Sequence, residues 1–227
     1  MRVLHLDCGR SMRGGQHQVL HLLRNLPVES RLLAASGAPL LEQARAEGFS
    51  ADELSWQALR AESAGFDLVH CHDARSHTLA ALWSRAPFVV SRRVAFPVKQ
   101  GWLSRWKYRR AAGFLAVSEC VKAGLLAVGV DAERIVVVPD STIIPPETSL
   151  RDGAMVAVDS DDPGKGGALL RGSGLPILFS KNLPTDLAHA RLFLYVSESE
   201  GLGSAALLAM AYGVPVVASR VGGLPEI

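Results

Sequence analysis

The sequence predicts an α/β protein made of two doubly wound parallel-sheet domains, the second smaller than the first. Three observations lead there. Short apolar runs alternate with amphipathic segments of helical period along most of the 227 residues, the pattern of parallel strands covered on both faces. A proline-bearing stretch without apolar periodicity, residues 144–147, interrupts the alternation and marks a linker, so the domains are 1–146 and 147–227. Residues 197–226, SESEGLGSAALLAMAYGVPVVASRVGGLPE, read as loop, apolar helix, buried strand and loop, with Gly201 and Gly203 before the helix and Gly222 and Gly223 after the strand.

In chain order, residues 3–8 form a first strand. Gly14 and Gly15 open a helix whose Val19, Leu20, Leu22, Leu23 and Leu26 make an apolar stripe. Strand, glycine turn and helix give a βα unit with a turn suited to an anion, although the dinucleotide fingerprint G-x-G-x-x-G is absent. Further strands are expected at 32–36, 52–56, 68–72, 87–91, 114–118 and 134–140. Helices are expected at 39–47, 57–64, 76–84, 102–110 and 119–127, the last capped by Ser118 and stopped by Gly129. In the second domain the strands are 155–158, 176–179, 192–196 and 214–219. A stub of helix stands at 187–190, and a longer helix is capped by Ser204 and ended by Gly213.

In doubly wound sheets ligands meet the strand C-termini. His72 and Asp73 stand at one such end. Arg92 and Arg93 stand at another, where guanidinium groups suit a phosphate or an acidic acceptor. The loop from Gly201 to Gly203 offers backbone N–H groups and the positive end of a helix, which suit a diphosphate. Glu200 beside it is a carboxylate acceptor for sugar hydroxyls.

With 48% hydrophobic and 20% charged residues the chain is globular rather than disordered. The N-terminal run is not a signal peptide, and no apolar run approaches the roughly 20 residues that span a bilayer. Cys8, Cys71 and Cys120 are odd in number and lack metal-ligand spacing; they read as small buried hydrophobes in a reducing cytoplasm. The net charge of +2 hides an asymmetry. Residues 74–118 hold no Asp or Glu but carry Arg75, Arg85, Arg92, Arg93, Lys99, Arg105, Lys107, Arg109 and Arg110, interleaved with Phe96, Trp102, Trp106 and Tyr108. That mixture fits an anionic membrane surface or a lipid-linked acceptor, and equally a solvated basic helix with its aromatics in the core. No nucleic-acid module accompanies it.

The stretch around Glu200 resembles the signature of the "glycosyl transferases group 1" family, retaining nucleotide-sugar glycosyltransferases of the GT-B fold, also described as glycosyltransferase family 4-like. The pattern E-G-F-G, four apolar residues, E-A-M-A-x-G-x-P-V-V-A and G-G-x-x-E is matched by Glu200, Gly201, Gly203, Ala209, Met210, Ala211, Gly213, Pro215, Val216, Val217, Ala218, Gly222, Gly223 and Glu226. The H-x-H ending at His72, the A-V-S-E step at 116–119 and the Gly14-Gly15 loop are similar too. The resemblance implies two Rossmann-like domains facing a cleft, the second shortened: few residues follow Lys165 before the next strand, and the sequence ends where the family continues.

It further implies transfer of a sugar from a nucleotide-sugar donor, with retention of configuration and without cofactor or metal, in the cytoplasm or at the inner face of the membrane. In that reading His72 holds the donor sugar at its reacting face, the Gly14-Gly15 loop closes over the phosphates, and Glu200 binds donor-sugar hydroxyls. Lys165 and the backbone of Gly201, Leu202 and Gly203 stabilise the leaving diphosphate. PFVVSRRVAFP, with Arg92 and Arg93, looks like a subgroup that builds lipopolysaccharide or other surface glycans, so the acceptor is a glycan or a lipid-linked sugar.

Two positions depart from the family pattern. Its second glutamate falls on Leu208. Its diphosphate-binding arginine falls on Ser160, among Asp159, Asp161 and Asp162, whose charges repel a diphosphate; the plainer reading of that turn is a solvated acidic one. The departures keep open a degenerate, non-catalytic relative that binds a partner or a membrane, and an incomplete gene product. A nucleotide-sugar epimerase is a further GT-B alternative, against which the E-G-L-G and A-V-S-E steps argue.

Overall fold

The computed structural model describes residues 1–96, 101–145 and 152–227. Lys99 of the basic segment and residues 146 and 147 of the expected linker lie outside the described residues. The chain forms two compact units, Met1–Pro139 and Asp140–Ile227, each described here by itself.

Unit 1 holds seven strands: β1 Arg2–Asp7, β2 Glu29–Ala34, β3 Ala51–Glu53, β4 Leu68–Cys71, β5 Phe88–Arg92, β6 Gly113–Ala116 and β7 Ile135–Val137. Their order is β3-β2-β1-β4-β5-β6-β7, and every neighbouring pair is parallel. The helices are α1 Gly14–Asn25, α2 Pro39–Ala46, α3 Trp56–Glu62, α4 Ala74–Trp83, α5 Trp102–Arg110 and α6 Glu119–Leu126. All of β1 after Arg2 is buried, as a central strand covered on both faces requires. The stripe on α1 buries Val19, Leu20 and Leu23 against Leu32 of β2 and Leu40 and Leu41 of α2, each side chain adding about 2 kcal/mol. Ser118 caps α6 by accepting from the Val121 N–H. The strand order reverses between β1 and β4, so the ligand-binding position of such a sheet lies beyond the C-terminal ends of these two strands.

Unit 2 holds four parallel strands: β8 Met155–Val158, β9 Ile177–Ser180, β10 Leu192–Tyr195 and β11 Val216–Ala218. Their order is β11-β10-β8-β9, reversing between β8 and β10. Its helices are α7 Gly167–Gly172, α8 Leu183–Leu187 and α9 Ser204–Ala211. Phe193, Tyr195, Ala206, Ala209 and Leu224 lie in one buried cluster.

Several local expectations shift. The helical stub expected at 187–190 lies earlier, as α8, because Pro184 pre-sets the first turn. Helix α7 was not foreseen; glycine at both ends lowers its propensity, and buried Leu170 and the left-handed Gly166 cap hold it. Ser204 does not cap α9: Gly203 occupies that position with φ 101°, a conformation open to glycine. Strand β7 is shorter than expected, ending before Pro139, which has no N–H for a ladder. Cys71 is buried while Cys8 and Cys120 are half-buried, and none of the three is in a disulfide. Among the described residues no helix is long and apolar enough to cross a membrane.

Candidate functional site

In unit 2 the residues singled out by the sequence meet at the reversal point of the sheet. The loop after β8 leads into a 3-10 turn, Pro163–Lys165, and the loop after β10 carries Glu200. The Lys165 ammonium pairs with Glu200 Oε1 across this point. Glu200 is only 8% exposed, and a buried carboxylate without a countercharge is strongly destabilising. Tyr195, the last residue of β10, lies next to the pair. Lys165 Nζ stands 5.9 Å from its ring centroid. Burial first, then the nearby Glu200 charge, push the Tyr195 phenol far above its usual value.

Gly201, Leu202 and Gly203 are buried beside Glu200. Helix α9 starts at Gly203 with no side-chain cap, so its first N–H groups lack the acceptor that a capping side chain would supply. Close approach fixes the glycines. A Cβ on Gly222 (φ 55°) would stand 1.9 Å from the Glu200 carbonyl oxygen, and one on Gly203 would stand 2.5 Å from Leu224 Cδ2.

The acidic turn is not simply solvated. Asp159 pairs with Arg171 and, at 3.7 Å, with Lys181, and Asp162 accepts from the Gly164 N–H at 3.0 Å. The Ser160 hydroxyl accepts from the Asp162 N–H at 3.2 Å. Leu208 packs against the unit 2 core.

In unit 1 the reversal point gathers Asp7 and Cys8 from the end of β1 with His72 and Asp73 from the end of β4. Asp7, 1% exposed, accepts from the Gly9 N–H at 2.7 Å and, with both oxygens, from Gln16 Nε2 at 3.1 Å. This ties the end of β1 to the first turn of α1, which Gly14 and Gly15 open without a side-chain cap. Burial raises the Asp7 pKa; nearby Asp73 adds to the rise, and the Gly9 and Gln16 bonds and the Arg93 charge oppose it. Burial, with Asp73 and Asp7, pushes the Cys8 thiol up to about 12. Asp73 itself is structural: it forms a capping box with Ser76 at the start of α4 and accepts from the Cys8 N–H at 2.6 Å. Sequence reasoning missed Asp7, Gln16 and Tyr195. A carboxylate closing an otherwise apolar strand was the available signal for Asp7; Tyr195 looked like one more core aromatic.

His72 belongs to a buried polar layer. Arg93 Nη1 donates to His72 Nδ1 at 3.3 Å. Arginine can only donate, so His72 carries its proton on Nε2 and donates to His5 Nδ1 at 3.0 Å. That puts the His5 proton on Nε2, a buried atom without a partner among the described residues. His70 Nε2 bonds to Ser91 Oγ at 2.8 Å. Ring nitrogens of His5, His70 and His72 lie within 4.8 Å of one another, a metal-like grouping, but the Arg93 charge and the His5–His72 bond favour a neutral hydrogen-bonded layer. Both His72 nitrogens are thus engaged. The structure joins His72 to Arg93 and separates Arg92, which donates to Tyr108 Oη at 3.3 Å and to the Phe96 carbonyl.

Burial lowers the pKa of His5 to about 4 and of His77 to about 3, and lowers those of His70 and His72 well below 6.5. The unfolded chain takes up these protons at about 6.5. Stability is therefore complete above that value and is lost as pH falls towards 4. For His5, 6.5 less about 4, the loss is about 3 kcal/mol. Asp7, whose pKa is raised, offsets part of this by gaining stability on acidification. Urea unfolding is expected to show unit 1 weaker at pH 5.0 than at pH 7.5, with unit 2, whose His189 is exposed, changing less. Equal stability of unit 1 at both values would refute the neutral layer. Separately, Gly222→Ala is expected to cost more than about 2 kcal/mol and to displace Glu200, whereas Gly15→Ala, with no atom within 4 Å of the added Cβ, keeps the melting temperature.

Comparison with known proteins completes the picture. The profile of Glycosyltransferase Family 4 matches residues 12–141, and that of Glycosyl transferases group 1 matches residues 175–227. Sulfoquinovosyl transferase SQD2 of Arabidopsis thaliana is 39% identical over 79 residues, 33% of this chain but only 16% of that protein. Among solved structures, Anabaena HepE in complex with UDP and glucose superposes with a TM-score of 0.83 at 15% identity, covering 100% of this chain and 82% of that one. The lipopolysaccharide outer core galactosyltransferase WaaB gives 0.67 at 16% identity, with 100% and 82% covered. The UDP-GlcNAc 2-epimerase of Neisseria meningitidis gives 0.58 at 14% identity, with 100% and 84% covered. At these identities the likeness establishes the fold, a GT-B-like pair of parallel α/β units. The match across residues 12–141 takes in more than half of the sequence, and the chain belongs to Glycosyltransferase Family 4.

Proposed function

We propose that the chain transfers a sugar, with retention of configuration, from a nucleotide-sugar donor to a glycan or lipid-linked acceptor of a lipopolysaccharide or related surface polysaccharide. The observation that carries this reading is the Lys165–Glu200 pair at the reversal point of the second sheet, beside the glycine loop that starts α9. A donor's diphosphate draws the Lys165 ammonium and the N–H groups at the start of α9, and Glu200 turns to the sugar hydroxyls. The bond from the anomeric carbon to the phosphate oxygen breaks and one to the acceptor oxygen forms. The acceptor proton passes to the departing nucleoside diphosphate, whose growing charge Lys165 stabilises. UDP in the HepE structures makes uridine donors the first to try. In unit 1, Arg93 and the His72 behind it, together with the Gly14-Gly15 turn, serve the donor's reacting face or the acceptor. Leu208, apolar where the family pattern has a carboxylate, favours the second reading, a non-catalytic relative that binds a membrane or a protein partner.

Helix α5 supplies the acceptor side. Trp102 and Leu103 are 77% and 59% exposed, as is Phe96 at 62%. Among the described residues Lys107 bonds to Thr78 Oγ1 and the Ala74 carbonyl, and Arg105, Lys107, Arg109 and Arg110 form no ion pair with a carboxylate. Exposed aromatics among unneutralised cations suit the anionic inner face of a membrane.

Calorimetric titration with UDP, GDP and ADP, each with and without an attached sugar, tests the donor reading. Micromolar binding is expected for one nucleotide series, weakened more than about tenfold by Lys165→Met and by Glu200→Gln, as loss of a charge-assisted contact demands. Failure of every nucleotide to bind removes the donor reading. Co-sedimentation with vesicles tests the membrane reading. Binding to phosphatidylglycerol vesicles, absent with pure phosphatidylcholine and abolished in Arg105→Glu/Arg109→Glu, is expected; equal recovery with both lipids contradicts it.

A further inference from the structure

We propose that unit 1 carries a second anion site, a cavity between α5 and the loop after α6 that takes the phosphate of a phosphate ester. It stands apart from the donor site. Where the phosphate belongs to a lipid headgroup, the inference rests on the membrane reading given above and deepens it.

The cavity has a volume of about 340 Å³, within the range of small-ligand pockets, about 300–1,000 Å³. One wall is α5, through Gly101, Ser104, Arg105, Tyr108 and Arg109. Their spacing is that of a single helical face. Residues 127–130 and Arg134 form the other wall. Arg134 stands just before β7 and Ala111 just before β6, so this wall lies towards the N-terminal ends of these parallel strands. His72 and Arg93 follow the C-terminal ends of β4 and β5, so the cavity is not part of the site at the reversal point.

Three arginines share the cavity, and among the described residues that line it none is acidic. Arg105 and Arg109 stand four apart on one helix and repel each other. Neither pairs with a carboxylate among the described residues. Arg134 is fixed in its place. Its Nη2 donates to the Tyr108 carbonyl at 3.0 Å and to the Ala111 carbonyl, closing the end of α5. Its Nη1 stands 3.8 Å from Asp131, whose side chain is 77% exposed. The other cations of α5 are engaged elsewhere. Lys107 bonds to Thr78 Oγ1 and the Ala74 carbonyl, and the Arg110 guanidinium lies 5.5 Å from the Trp106 ring centroid. An anion in the cavity relieves the repulsion between Arg105 and Arg109 and meets the planar, forked donors that suit phosphate. A water takes about 30 Å³ of liquid, so the volume admits a phosphate and part of the group that it esterifies. Trp102 and Leu103, exposed next to Gly101, offer apolar contact to a lipid.

The whole 227-residue chain would be titrated calorimetrically with glycerol 3-phosphate and with glycerol, at physiological ionic strength, where diffuse surface charge is screened beyond about 8 Å. Arg105→Gln and Arg109→Gln are compared with Lys107→Gln and Arg110→Gln, which remove the same charge from the same helix outside the cavity. Glycerol 3-phosphate is expected to bind and glycerol not. The first two variants each weaken binding about tenfold, the scale of a charge-assisted hydrogen bond, and the other two by less than about twofold. Co-sedimentation with phosphatidylcholine vesicles containing phosphatidic acid distinguishes the sources. Recovery that glycerol 3-phosphate displaces assigns the cavity to a lipid headgroup. Recovery that it does not displace assigns the cavity to a free phosphorylated compound and the membrane to the outer surface of α5. No recovery, with the soluble ester still bound, leaves the cavity standing and removes the membrane reading. Failure of glycerol 3-phosphate to bind, or a loss shared equally by the four variants or shown by none, overturns the cavity site; the donor site is tested separately by the nucleotides.

Discussion

A buried carboxylate governs the second unit. Glu200 sits almost out of water, and an uncompensated charge there would cost more than most single contacts contribute. The structure answers with Lys165, which reaches across from the neighbouring strand's loop, so the ion pair also clips together the loops that leave β8 and β10. The glycines follow from that constraint. Gly166, at φ 64°, passes so close to Val196 that a Cβ would stand 2.5 Å from Val196 Cγ1, and Gly222 abuts the Glu200 carbonyl itself. At Gly222 the family-like glycine pattern thus records where backbone must approach backbone around this carboxylate. The pair is also half open, since the Lys165 side chain keeps 32% of its exposure. That is the combination a ligand site needs: a charge held in place, with its partner accessible to an anion.

In the first unit a different constraint organises the site. Arginine has no acceptor, so its contact with His72 dictates the proton positions of two imidazoles in sequence. The outcome is a layer of neutral histidines on β1 and β4, under a cation that none of them can neutralise. The neutral His72 accepts from Arg93 without adding a countercharge of its own. A carboxylate in place of His72 would hold the guanidinium more tightly and cancel it.

Much of this was legible in the sequence because it rests on periodicity and backbone chemistry. Apolar runs located all eleven strands of the described residues within a few positions, and α5 begins and ends where the sequence placed it. Parallel strands follow from the alternation, and the Lys165 and Glu200 positions follow from the glycine motifs. Side-chain partnerships between distant residues were not legible. Nothing local in the sequence says that Gln16 turns back to Asp7, that Arg92 and Arg93 part company, or that Tyr195 lies beside Lys165. Each depends on which face a strand presents and on what a neighbouring strand brings to it, and a shift of one residue in register reverses both. Helix α7 escaped for the opposite reason: its glycines argue against a helix, and packing overrides them.

The acidic turn after β8 shows why counting charges along a sequence misjudges a site. Three aspartates near Lys165 read as a barrier to a diphosphate. In the fold, Asp159 pairs with Arg171 and Lys181, and Asp162 is used in holding the turn that carries Lys165. The Coulomb energy of a pair a few ångströms apart far exceeds that of one across a screened gap, so a carboxylate already paired to two cations adds little field at Lys165. Asp161 is the remaining exposed charge, free to be screened by solvent. The aspartates around Ser160 therefore do not leave the full repulsion that the sequence suggests, and Asp162, through its bond to Gly164, holds the turn that carries Lys165.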